Sequence, residues 1–214
     1  MKRILLLLLI AVSCTSRSAW TEWEKTVIEQ SDSVMYVCVM PADSTILRAQ
    51  SRDFGPGELA SSQLKTLIDK MYRTLTDPSQ DGVGIAAPQV GINRRMVLVM
   101  RYDKPDMPIE PYLNIKIDSL LGEKVPGPEG CLSVPPYRGT VRRYPSVQIS
   151  YLKPDGTPVT EKVEGYSAII FQHECDHLDG RLYIDRADTV YVSTAWEAER
   201  RAYDYTRPDW WPLQ

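Results

Sequence analysis

The pentad His173-Glu174-Cys175-Asp176-His177 constrains this chain more than any other stretch. It follows directly on Ala168-Ile169-Ile170-Phe171, so an apolar run leads straight into a titratable cluster. Residues 167–178 read as a helix stopped by Gly180. A helix that is apolar up to its histidines is buried, and buried polar groups need partners. Positions i and i+4 share a helix face, so both imidazoles can reach one cation. Glu174 stands beside that face, close enough to handle a water without being a ligand. The competing reading has the histidines pairing or capping on a surface helix. It loses ground because the chain has only two histidines and both stand in the pattern. Cys175 reads as a small core residue and Asp176 as a supporting or helix-end carboxylate.

Two histidines do not complete a catalytic centre, which usually takes three protein ligands and an open position. Two candidates supply the third. Glu197, downstream, would make a thermolysin-like zinc endopeptidase. Cys131, upstream in Glu129-Gly130-Cys131-Leu132-Ser133-Val134-Pro135, would supply a thiolate. The residues alone leave both open. A lone cysteine is more often an inert buried thiol, and Gln89, taken alone, is a loop glutamine beside a Gly-Pro turn.

The rest of the chain reads as α+β, with antiparallel strands packed around the central metal-binding helix. Leu64, Leu67, Ile68, Met71, Tyr72 and Leu75 form the apolar stripe of an amphipathic helix. Val34–Val39 and Met96–Met100 have strand length. Leu113, Ile115 and Ile117 alternate with polar residues, as do Val147, Ile149 and Tyr151. Pro154-Asp155-Gly156 turns toward a further strand at 159–163. Gly127-Pro128-Glu129-Gly130 reads as a turn-rich break. A last helix is expected over 193–204, followed by the aromatic tail Asp209-Trp210-Trp211-Pro212.

Lys2 and Arg3 precede an uninterrupted apolar run, Ile4 to Val12. The run is too short to span a bilayer and fits the core of an export signal. Ala11-Val12-Ser13-Cys14 resembles a bacterial lipoprotein processing site, with Cys14 lipidated and the protein anchored in the cell envelope. Cleavage nearer Ala19, or a start at Met35 or Met40, are the alternatives; the last leaves a cytoplasmic protein. The expected organisation is a signal over 1–14, a polar tether over 15–33 containing a short helix near 20–30, and a catalytic domain over 34–214. The net charge of −3 gives no electrostatic reason to expect nucleic acid. The four cysteines form no CxxC pair.

Three segments occur in order: Gly82-Val83-Gly84-Ile85-Ala86-Ala87-Pro88-Gln89-Val90-Gly91, then Glu129-Gly130-Cys131-Leu132-Ser133, then Gln172-His173-Glu174-Cys175-Asp176-His177. Together they resemble the motifs of the peptide deformylases, a likeness extending from about Val34 to Arg186. The resemblance implies that Cys131, His173 and His177 hold the metal and that Glu174 is general base and then acid. It implies that Gln89 and the backbone N–H of Leu132 stabilise the oxyanion. Gly84 then belongs to the substrate cleft, Val83, Ile169 and Ile170 line a methionine pocket, and Arg138 helps hold the peptide. The implied reaction is removal of the formyl group from an N-formyl-Met peptide by a monomer with one divalent ion, iron(II) foremost and zinc second. A thiolate ligand suits either metal. A non-enzymatic lipoprotein that binds formylated peptides is a further alternative.

Overall fold

The computed structural model describes residues 20–80, 82–194 and 206–211. The Ile4–Val12 run, Cys14, Glu197 and nearly all of the helix expected over 193–204 lie outside the described residues.

The first element, α1 (Glu22–Gln30), begins with a capping box: the Thr21 side chain accepts from Glu24 N–H, and the Glu24 carboxylate accepts from Thr21 N–H. Short turns α2 (Ser44–Leu47) and α3 (Pro56–Leu59) lead to α4 (Ser62–Leu75), whose Leu64, Leu67, Met71 and Leu75 face inward as the spacing predicts. Tyr72 of the expected stripe is exposed, and Thr74 takes an inward place instead.

Two antiparallel sheets follow. The first has the order β1 (Gly84–Ala86), β2 (Met96–Met100), β3 (Ile109–Leu121), β6 (Ser146–Leu152) and β7 (Pro158–Glu164). The second has the order β4 (Val125–Gly130), β5 (Tyr137–Arg143) and β8 (Thr189–Val192). Helix α5 (Gly165–Leu178) lies between them. Its Ala168, Ile170, Phe171, Cys175 and Leu178 pack on Val97, Val99, Tyr112, Ile115 and Val147 of the first sheet. Its histidines and Asp176 turn toward residues of β4 and β5. This buried, two-sided position explains why α5 carries no broad polar face.

Three expectations are corrected. Gly127–Gly130 is the end of strand β4, not a turn. Prolines are tolerated there because β4 is an edge strand, where a missing N–H costs no ladder bond. Val34–Val39 forms no strand, because its N–H groups go to separate partners: Met35 N–H to Thr74 Oγ1 and Cys38 N–H to the Gln89 carbonyl. Residues 20–33 are not a tether. Trp20, Val27 and Ile28 are buried in the main core, and Glu24 is paired with the buried Arg94. Glu24, Val27, Ile28 and Ser31 make the inward face of a helix that a mean hydropathy reading passes over. The aromatic tail is likewise structural, with Trp211 buried against Trp23 and Tyr36.

Ile28 is 2 % exposed. Ile28→Ala is therefore expected to destabilise the protein by about 2–5 kcal/mol in a denaturant titration. A change within about 0.5 kcal/mol, as on a surface, would return α1 to the status of a tether.

Candidate metal centre

α5 supplies His173, Glu174 and His177; the loop after β4 supplies Cys131. The ligating atoms of Cys131, His173 and His177 all lie within 4.8 Å of one another, the one such group found among the described residues. Cys131 Sγ is 3.3 Å from His177 Nε2. His173 Nδ1 is 2.8 Å from Glu129 Oε2, which leaves its Nε2 for the cluster. A thiolate with two imidazoles, one of them oriented by Glu129, is a donor set that fits iron(II) or zinc.

The second sheet orients these donors. Glu129 takes a bidentate pair from Arg143, at 2.7 and 3.0 Å, besides its contact with His173. Arg143 also pairs with Asp176, which in turn receives Arg186 at 2.7 Å. The Tyr183 ring stacks on His173 at 6.0 Å. Burial works against the charge on Glu129, yet the hydrogen bonds from His173 and Arg143 hold its carboxyl at about 2. Burial also opposes a proton on His173, but Cys131 and Glu129 draw it well above the usual imidazole range. His177 goes the other way: burial and the His173 charge push it far down.

Glu174 is buried, and its Oε2 has no protein partner. Burial first, with the Glu129 charge adding to it and His173 and Arg143 opposing, lifts its carboxyl to about 7. Gln89 sits on the 3-10 turn Ala87–Val90 that follows β1. Its Oε1 accepts from Ala86 N–H at 2.8 Å, and its Nε2 donates to Ser133 Oγ at 3.2 Å and to Cys131 Sγ at 3.6 Å. That fixes the carboxamide with its N–H edge toward Cys131 and Ser133.

A cleft of about 290 Å³ opens over this group. Gln89, Cys131, Leu132, His173 and Glu174 line it. Val83, Gly84, Ile169, Ile170 and Arg138, the residues expected to meet substrate, all line it as well. His177 is set behind, 1 % exposed. Sequence reasoning passed over Glu129 as an orienting group, along with Arg143, Ser133 and Tyr183. Glu129 stands two residues before Cys131, a spacing that could have flagged it; Arg143 carries no local signal.

Three converging donors that could hold a metal ion stand beside a cleft with a buried carboxylate at hand, the arrangement of an open, hydrolase-type site and not of a coordinatively closed structural one. Comparison with known proteins narrows the class. A model of the polypeptide deformylase family matches residues 35–192. Peptide deformylase from Leptospira biflexa is 37 % identical over 155 residues, covering 69 % of this chain and 86 % of that protein. Peptide deformylase 2 of Bordetella bronchiseptica is 44 % identical over 130 residues, 58 % of this chain and 73 % of the relative. The Met-Ala-Ser-bound class I type b peptide deformylase from Acinetobacter baumannii superposes with a TM-score of 0.65 at 37 % identity, over 72 % of this chain and 98 % of that one. The chain belongs to the polypeptide deformylase family, metalloenzymes that remove the formyl group from the N-terminal methionine of peptides.

Two variants probe the geometry. Glu129→Gln keeps the shape but removes the charge that orients His173. Its metal affinity should fall about 10–100-fold in a chelator competition, and an unchanged affinity would remove Glu129 from the centre. A Cβ at Gly84 would stand 2.6 Å from Glu174 Oε1 and 2.8 Å from Ile170 Cγ2. Gly84→Ala should therefore lower kcat, by up to about 10²-fold, while metal content holds; full activity would show that Glu174 need not keep this position.

Proposed function

We propose that Cys131, His173 and His177 hold one divalent ion, iron(II) with zinc as the alternative, and that Glu174, Gln89 and Leu132 carry out the hydrolysis around it. The observation that carries this reading is the meeting of the three donors, two of which, Cys131 and His173, line one cleft together with Glu174 and Gln89. When bound, the ion supplies Lewis-acid chemistry, acidifying a water and polarising the formyl oxygen. Glu174 takes the proton released as water adds to the formyl carbon, and gives it to the methionine nitrogen as the C–N bond breaks. Formate and a free amino terminus result. The Nε2–H edge of Gln89 and the Leu132 N–H meet the charge that gathers on the formyl oxygen, each such donor being worth about 10²–10³ in rate. Val83, Ile169 and Ile170 offer apolar walls to the methionine side chain, and Arg138 stands where it can hold the peptide beyond it. All these residues come from one chain, so a monomer suffices.

The N-terminal pattern extends the proposal to place. Lys2, Arg3, the Ile4–Val12 run and Cys14 support an envelope-anchored enzyme acting on exported formylated peptides. Labelling with a fatty-acid probe should mark the wild type and not Cys14→Ser. An unlipidated protein in the soluble cytoplasmic fraction would overturn this part alone.

The activity is tested by formate release from formyl-Met-Ala-Ser with the metal-loaded enzyme. Glu174→Ala should lose about 10²-fold or more with its metal retained. Turnover undiminished in that variant would contradict the assignment of the proton to Glu174.

A further inference from the structure

We infer that Trp23 and Trp211, which both lie outside the family-matched stretch, are positioning residues for Gln89. The inference rests on Gln89 being the carboxamide donor to the formyl oxygen. Gln89 occupies a 3-10 turn only four residues long, Ala87–Val90, closed by Gly91 in the left-handed conformation with φ +83°. A turn this short has little stiffness of its own, so what bears on Gly91 bears on Gln89.

Two indoles do so. Trp23 of α1 donates its Nε1–H to the Gly91 carbonyl at 3.1 Å. Trp211 sets the outer edge of its ring against Gly91; a Cβ there would be 2.3 Å from its Cη2 and 2.9 Å from its Cζ2. The two rings meet edge to face at 5.0 Å, and Tyr36 meets Trp211 in the same manner at 5.0 Å. The tail is pinned there by Arg207, which donates to the buried Asp43 at 2.8 Å and to the Ala42 carbonyl at 2.9 Å. Asp43 also accepts from Tyr36 Oη at 2.7 Å and from Val39 N–H at 2.9 Å. This fixes the segment whose Cys38 N–H holds the Gln89 carbonyl at 2.8 Å. The backbone of the turn is thus gripped at Gln89 from one side and at Gly91 from another. The side chain of Gln89 then has one way to lie, with Nε2 toward Ser133 and Cys131. Gly91 is fitted to the clamp twice, by its positive φ and by the space that the Trp211 ring takes.

The test is a double-mutant cycle on the metal-loaded full chain, read as kcat and KM for formyl-Met-Ala-Ser. Trp23→Phe keeps an aromatic ring in the cluster but removes the indole N–H that bonds Gly91, and is the milder choice beside Trp23→Ala; Trp211→Phe is the milder variant at the second position. Each should lower kcat about 3–10-fold with KM little changed, because an oxyanion donor acts on the transition state and not on ground-state binding. In a Gln89→Ala background the same changes should have no further effect on kcat. An equal loss in both backgrounds, or no loss in either, overturns the inference while Gln89 keeps its role. A Gln89→Ala enzyme with undiminished kcat overturns the donor reading itself, and the clamp's role with it.

Discussion

The carboxylate of Glu129 is the point through which the two halves of the molecule meet. It stands one residue before the end of β4, receives both nitrogens of an Arg143 fork from β5, and accepts from His173 on α5. Arg143 reaches on to Asp176 one helical turn further along. These charges are buried, and burial of charge is costly unless each is paired and hydrogen-bonded. The pairing here is complete enough to draw Glu129 far below the ordinary carboxylate range in spite of burial. What the network secures is orientation: it fixes the second sheet against the helix, so that Cys131, just past β4, arrives beside His177 and His173.

The apolar face of α5 does the complementary work. Ala168, Ile170, Phe171, Cys175 and Leu178 are buried against the first sheet. That burial supplies stability that the polar face does not, at roughly 25 cal/mol per Å² of apolar surface removed from water. Stability and chemistry are therefore divided between opposite faces of one helix. Glu174, at the boundary, is left with a buried oxygen lacking a protein partner, beside the cleft. The clamp of Trp23 and Trp211 applies the same division to the other wall of the cleft. There, aromatic packing at the two ends of the described chain bears on the short turn that carries Gln89.

Much of this was legible in the residues. The pentad on an apolar helix foretold both the burial and the pair of imidazoles, because helix period is a local property. An apolar run of strand length located β2, and alternation located β3 and β6, for the same reason. The third ligand was not settled by local pattern: Glu197 and Cys131 stood level until the family motifs favoured Cys131, and the geometry then placed it within reach. Glu129 was visible as a motif residue, but its partner Arg143 lies across the β4–β5 ladder, a relation no window of sequence contains. β4 was obscured by Pro126, Gly127 and Pro128, whose tolerance depends on being at a sheet edge. Trp20 and Val27 were taken for a tether because their partners, Phe54 among them, are distant in sequence.

X-ray absorption at the metal edge of the loaded protein tests the central claim most directly. The account predicts one sulfur neighbour at about 2.3 Å together with imidazole-type scattering, as expected for a thiolate ligand beside two histidines. It also predicts that the sulfur shell disappears in Cys131→Ser. A wild-type spectrum of nitrogen and oxygen neighbours only, or a sulfur shell that survives the substitution, would contradict the account and return the third ligand to another part of the chain.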